Sequence, residues 1–250
     1  MISIVVPIFN QHEMTDDCIL SIREHTDLDY ELILVDNGST PPVKMPFTGY
    51  TSVKLLRNET NSGFPKAVNQ GIEASSGDII ILLNNDVVVT PGWADGLVSW
   101  FDEFDIVGPV TNYSVGLQRV QTPFYQSKEA LENVADNWAE EYEGEVLEVN
   151  WIIGFCMAFK REVFDKIGAF DESLWPCSGE EIDFCFRARE AGYKIGIAGD
   201  VYLHHIGSQT FKIMDVDYEE TCKRNDAHLA EKWGKDFWFN QLVEVPDEAA

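Results

Sequence analysis

The stretch Leu82-Leu83-Asn84-Asn85-Asp86-Val87-Val88-Val89 constrains this chain more than any other. Ile79–Leu83 is an unbroken apolar run, the composition of a strand covered on both faces, and Asn84, Asn85 and Asp86 fall where such a strand would emerge. Open α/β sheets bind ligands at the carboxyl ends of their strands, so a carboxylate there is placed to share a hard cation with a phosphate. Asn-Asn-Asp is equally good turn chemistry, because both side chains bond their own backbone and tolerate left-handed conformations. Alone, the motif leaves the two readings level.

The pattern recurs along the first half. Residues 2–6 read as a buried strand stopped by Pro7, and residues 31–35 as a second that ends in Asp36-Asn37-Gly38-Ser39. Residues 53–56 make a third, and helical spacing appears over 16–25 and 67–74 around a polar loop with Gly63. The order β-α-β-β-α-β implies an α/β class with a parallel, nucleotide-binding style of sheet. Beyond it, residues 94–104 read as a helix, 106–108 as a strand, and 128–142 as an exposed helix anchored by Trp138. Residues 149–159 read as one strand region, 161–167 as a short helix, 178–191 as a helix opened by Ser178-Gly179-Glu180-Glu181-Ile182-Asp183, and 193–198 as a strand. His204 and His205 then begin a loop, residues 218–233 form a closing helix, and residues 245–250 are a frayed end.

At 250 residues with 45% hydrophobic and 12% aromatic content the chain can bury a substantial core, and no repeat or linker divides it. Eighteen basic against 43 acidic residues give a formal charge of −25, which repels nucleic-acid backbones and anionic membrane surfaces. Nucleic acid is therefore excluded as a partner, whereas an anionic nucleotide can bind if backbone amides and a divalent cation screen it locally. Five cysteines, an odd number without a Cys-x-x-Cys pair, argue against a disulfide framework or a thiolate zinc site and for a cytoplasmic setting. The start is strand-like, not signal-like, and no apolar stretch reaches membrane-spanning length, which leaves at most peripheral membrane contact. The sequons at Asn58 and Asn112 matter only in a secretory lumen.

Glu180, Glu181 and Asp183 at a helix start complement the macrodipole, yet Glu180 and Glu181 point in different directions, so one can face a cleft as a general base. Burial beneath Trp175 or Phe155 would raise its basicity. Adjacent histidines on extended backbone face opposite ways, so at most one of His204 and His205 reaches an ion. Asp36 either accepts from a base or ribose or caps its own turn, and Gly63 permits close backbone approach. Neither a covalent-nucleophile spacing nor a Walker or Gly-x-Gly-x-x-Gly pattern is present.

VVPIFNQ, LILVDNGS, RNETNSGFPKAVNQGI, LLNNDVVVTPGW, GFCMAFKREVFDKIGAFDE, GEEIDFCFRAREAGYKI and HHIGSQTF, in that order over about residues 2–211, resemble the family 2 glycosyltransferases, notably rhamnosyltransferase-like bacterial and archaeal members. The resemblance implies a GT-A fold: a single Rossmann-like mixed sheet flanked by helices. It also implies a UDP, GDP or dTDP sugar donor, a glycan or other hydroxyl acceptor, Mn2+ or Mg2+, and inversion at the anomeric carbon. It divides one domain into a nucleotide-sugar half of about residues 1–110, an acceptor and catalytic half of about 111–215, and a helical tail of about 216–250. By position, Pro7, Phe9, Asp36, Asn61, Gly63 and Lys66 would line the nucleoside site, and Asn84-Asn85-Asp86 stands where the family has Asp-x-Asp. Asn replaces the first Asp, which leaves Asp86 as the direct metal ligand with His205 beside it. Glu181 inherits the base role, with Glu180 and Asp183 as rivals, and Trp151, Gly154 and Trp175 would shape the sugar and acceptor pocket. The alternatives are a nucleotide-sugar-binding module without chemistry, or a sugar-1-phosphate nucleotidyltransferase; the latter should carry a Gly-rich basic loop where this chain has PIFNQHEMT.

Overall fold

The apolar runs of the first half become the parallel part of a mixed sheet. A computed structural model describes residues 1–44, 52–207, 216–238 and 240–243. In chain order the elements are β1 (Ile2–Ile8), α1 (His12–His25), β2 (Tyr30–Asp36), β3 (Val53–Arg57), α2 (Phe64–Ala74), β4 (Ile79–Leu83), β5 (Val87–Val88) and α3 (Trp93–Ser99). There follow β6 (Ile106–Thr111), α4 (Lys128–Glu141), β7 (Val146–Val149), β8 (Cys156–Lys160), α5 (Arg161–Ile167), α6 (Glu180–Glu190), β9 (Ile195–His205) and α7 (Tyr218–Trp233). The expected frayed end at 245–250 and the last residues of HHIGSQTF lie outside the described residues.

The strands lie in the order β3-β2-β1-β4-β8-β6-β9-β5, with β7 also paired to β9. β3, β2, β1 and β4 run parallel, β8 runs antiparallel between β4 and β6, and β6 and β9 run parallel. Side chains alternate across each strand, so both faces need cover. Ile4, Val6, Leu32 and Leu34 pack with Cys18, Ile19 and Ile22 of α1 and with Trp93 and Leu97 of α3. Val5, Ile33 and Val35 pack on the other face with Ala67, Val68 and Ile72 of α2. Gly71 lets α2 settle on the sheet, because a Cβ there would strike Val5.

The mixed α/β sheet flanked by helices is the architecture that the resemblance implies. Three local expectations change. Residues 149–159 are two strands, β7 and β8, parted by a loop over 150–155 that passes through the site. His204 and His205 are not in a loop but end β9, which is eleven residues long. Helices α1 and α2 start earlier than their apolar spacing suggests, α2 with Pro65 in its first turn, where the missing N–H costs nothing.

Candidate active site

A cavity of about 440 Å3 opens at the carboxyl ends of β1 and β4. Pro7 and Phe9, at and just past the end of β1, wall it with Asn61 and Phe64. Asn84, Asn85, Asp86 and His205 give it polar lining, and Gly154, Glu180 and Glu181 line the same cavity. The chain therefore brings segments more than a hundred residues apart to one solvent-lined space.

β5 pairs with the end of β9, Val87 opposite His205, and this ladder sets Asp86 beside the histidine. Asp86 Oδ1 lies 3.3 Å from His205 Nε2, and both residues are buried. His205 Nδ1 is 2.8 Å from the Tyr113 carbonyl oxygen, which can only accept, so Nδ1 carries the proton and Nε2 is the nitrogen turned to Asp86. A buried carboxylate and a ring nitrogen at that spacing are placed to share a proton or a cation. Asn84 Oδ1, in the same lining, is buried without a hydrogen-bond partner, whereas Asn85 Nδ2 donates to Thr15 Oγ1 at 2.9 Å. Among the described residues no group of three or more His, Cys, Asp and Glu side chains is gathered for a metal. A divalent cation held by Asp86 and His205 would thus take its other ligands from water or from substrate oxygens, the mode in which Mg2+ and Mn2+ meet phosphates. His204 faces away, its Nδ1 within 2.6 Å of the Tyr125 hydroxyl.

Ser178 at φ 94° and Gly179 at φ 91° form a left-handed turn that delivers Glu180 and Glu181 at the first turn of α6. A non-glycine residue at that φ is strained, and such strain persists where surrounding packing fixes it. Burial, and next the charge of Glu181, hold the Glu180 carboxyl well above the usual carboxylate range. Burial also raises Glu181, but backbone amides of Glu181, Gly154, Gly179 and Ile182 oppose the rise by favouring the ionised form. The two carboxyls titrate as one coupled pair, and the larger set of opposing backbone amides favours the ionised form at Glu181. One oxygen of each carboxyl, Glu180 Oε2 and Glu181 Oε2, is buried without a partner. Cys177 lines the cavity as well, but burial and then the charges of Glu180 and Glu181 push its thiol up, away from a nucleophilic thiolate.

Gly154 is positioned by contact. A Cβ there would sit 3.1 Å from Glu181 Cβ, so a methyl group moves the carboxylate by a few tenths of an ångström. Gly154→Ala is expected to lower kcat on the order of tenfold while the melting temperature changes little, since small misplacements of a reacting group cost rate steeply. Steady-state kinetics beside a thermal melt checks this.

Six of the sequence-derived site residues lie off the cavity. Asp183 is fully buried, with Oδ1 accepting from Lys232 Nζ at 2.6 Å and Trp233 Nε1 at 2.9 Å, and Oδ2 from Arg187 Nε at 2.8 Å. Its oxygens are committed to tying α7 to α6. Asp36 is also internal, accepting from the Ser39 and Val43 amides and from Arg57. Those bonds outweigh burial and lower its pKa, which makes it a cap for its own turn. Gly63 (φ 91°) seats Trp175 instead, whose Cδ1 would lie 2.5 Å from an added Cβ. Lys66 points to solvent from α2. Trp151 is core, its ring edge-on to Trp238 at 5.6 Å, and Trp238 is the indole that reaches the cavity. Phe155 stacks on His205 at 5.2 Å.

Trp238, Arg119, Tyr113 and Asn37 line the cavity and were not selected from sequence. Only Asn37 carried a signal, as part of the turn after β2. Its Oδ1 accepts from Asn58 Nδ2 at 2.9 Å and Ser62 N at 3.0 Å, and its Nδ2 donates to Asn61 Oδ1 at 2.9 Å. Asn58, marked only as a sequon, thus braces the loop that carries Asn61.

Residues 3–168 match Glycosyl transferase family 2. Glycosyltransferase AglE of Haloferax volcanii is 26% identical over 212 residues, spanning 82% of this chain and 66% of that protein. The N-acetylglucosaminyl-diphospho-decaprenol L-rhamnosyltransferase of Mycobacterium tuberculosis is 27% identical over 229 residues, spanning 77% of this chain and 72% of that protein. A crystal structure of GalNAc-T7 with UDP, GalNAc and Mn2+ aligns with a TM-score of 0.66 at 15% identity, over 95% of this chain and 50% of that one, which shows a shared GT-A fold. The chain spans only 23% and 40% of two further curated relatives. Running from β1 through α5, the family match takes in the strand ends, the Asp86 corner and Gly154, and on it the chain belongs to glycosyl transferase family 2.

Proposed function

We propose that this chain transfers a sugar from a nucleoside-diphosphate donor to an acceptor hydroxyl with inversion, aided by Mn2+ or Mg2+, in glycan or cell-surface polysaccharide synthesis. One observation carries the reading: the Asp86–His205 pair and the Glu180–Glu181 pair face a single cavity whose first wall is Pro7, Phe9 and Asn61. The GalNAc-T7 structure was obtained with UDP and Mn2+ in the same fold, and the mycobacterial relative is named for a diphospho-linked acceptor. The five cysteines are free thiols, which suits a cytoplasmic setting, and among the described residues no helix is long and apolar enough to cross a membrane.

In this reading Pro7, Phe9 and Asn61 receive the nucleoside. Asp86 and His205 would hold the cation, whose positive charge would offset the charge on the departing diphosphate. Glu181 Oε2 takes the acceptor's hydroxyl proton as its oxygen bonds to the anomeric carbon, and the electron pair of the broken C–O bond leaves with the diphosphate. Glu180, protonated in the resting pair, keeps a second negative charge out of the site. Gly154 N–H favours the ionised Glu181 carboxylate, and Trp238 and Arg119, which line the same cavity, would meet the acceptor. A single displacement inverts the centre once.

The test is transfer from UDP, GDP and dTDP sugars in Mn2+, with the product's anomeric configuration read by proton NMR. The expected product carries the configuration opposite to the donor's. A product with retained configuration overturns the single-displacement mechanism, and saturable binding without any transfer or donor hydrolysis overturns the enzymatic reading.

A further inference from the structure

We infer that Asn112 is the positioning residue for His205: its side-chain amide stands in for the strand that would otherwise pair with the end of β9. The inference rests on the reading of Asp86 and His205 as the cation-holding pair. Strand β6 runs parallel to β9 and stops at Thr111, opposite Leu203. Two residues further along β9, the His205 backbone has no β6 residue to pair with. Asn112 fills that place: its Oδ1 accepts from His205 N at 2.9 Å, and its Nδ2 donates to His205 O at 3.1 Å. One amide therefore satisfies both backbone groups of a buried residue, on the side of β9 away from β5.

The ring is gripped by the next residue. The Tyr113 carbonyl takes the Nδ1 proton, and the Tyr113 ring meets the imidazole edge-on at 5.8 Å. Phe155 closes the opposite side by stacking. Asn112 thus fixes where the His205 backbone lies relative to the Tyr113 carbonyl. That carbonyl holds the proton on Nδ1, which leaves Nε2 as the nitrogen turned to Asp86. Asn112 begins the sequon Asn112-Tyr113-Ser114, and the nitrogen that a glycan would need is the one bonded to His205. The tripeptide serves the histidine instead of offering a modification site.

The experiment compares wild type with Asn112→Ala and with Asn112→Gln, which keeps the amide but displaces it by one methylene. Asn69→Ala is the matched control: Asn69 makes the same two-pronged contact with the backbone of Phe170, remote from His205. Mn2+ binding to the full chain is followed by the EPR signal of the free ion. Nitrogen-15 spectra of the metal-free imidazoles report which ring nitrogen of His205 carries the proton. Both Asn112 variants are expected to bind Mn2+ about 10–100-fold more weakly and to show a mixture of His205 tautomers, with Asn69→Ala unchanged in both. Wild-type Mn2+ affinity together with an unchanged His205 spectrum in the Asn112 variants overturns the inference. Should Asn112→Ala fail to fold, Asn112→Gln decides it by the same two readouts. A wild-type protein that does not bind Mn2+, alone or with UDP, GDP or dTDP, overturns the reading of the pair itself; the tautomer spectrum then still decides whether Asn112 sets the ring.

Discussion

Glu181→Gln is expected to lower kcat by roughly 10²- to 10⁴-fold, the range that a positioned general base contributes. Gln keeps the shape and the Gly154 contact but cannot accept the hydroxyl proton, so donor affinity should survive. The neighbouring substitution separates the two glutamates. Glu180 is the one held protonated by burial and by the charge of Glu181, so Glu180→Gln replaces a neutral acid by a neutral amide and should retain most turnover. The pH profile carries the same asymmetry. Glu181 works only when ionised, and its pKa is raised by burial, so kcat/KM should fall as pH drops through a point above the ordinary carboxylate range. Equal losses in Glu180→Gln and Glu181→Gln, or a Glu181→Gln enzyme at wild-type rate, would remove Glu181 from the role of base.

Asp86→Ala should abolish metal-stimulated turnover, a loss of about 10³-fold or more if the cation contributes several kcal/mol to the transition state. His205 has spent Nδ1 on the Tyr113 carbonyl, and no third carboxylate, thiol or imidazole among the described residues can substitute for the aspartate. Raising Mn2+ should not rescue the variant, and the melting temperature of the unliganded chain distinguishes a lost ligand from a lost fold. Metal-stimulated turnover that survives in Asp86→Ala contradicts the assignment.

Strands β1, β2 and β4 are legible because they are buried on both faces, which leaves apolar runs bounded by turn residues, whereas β3 is a partly exposed edge strand. Strand β8 was legible as a strand but not in its direction, since antiparallel insertion between β4 and β6 is decided by partners far along the chain. The polarity of His204 and His205 suggests a loop, yet they end β9. Their strand geometry comes from β5 and from Asn112, neither of which sequence spacing exposes. At the site, Asp86, His205, Glu180, Glu181 and Gly154 line one cavity. Asp183 and Asp36 do not, although each sits beside a residue or turn that does. A helix start or a turn fixes where a carboxylate begins, and packing decides where it ends: Lys232 and Trp233 of α7 claim Asp183, and Arg57 at the end of β3 claims Asp36. Trp151, expected in the pocket, fills the core for the same reason, edge-on to Trp238, which lines the cavity.

The central claim is that one cavity couples a nucleoside diphosphate to the Asp86–His205 pair. Thermal unfolding with UDP, GDP and dTDP, each with and without Mn2+, in wild type and Asp86→Ala, tests it most directly. Ligand at a hundred times its Kd adds about 2.7 kcal/mol, a rise of roughly 5–10 °C for a chain of this size. The expected result is such a rise for one nucleotide in wild type, with Mn2+ only, and its loss in Asp86→Ala. An equal rise without the metal, or an undiminished rise in Asp86→Ala, would contradict the account.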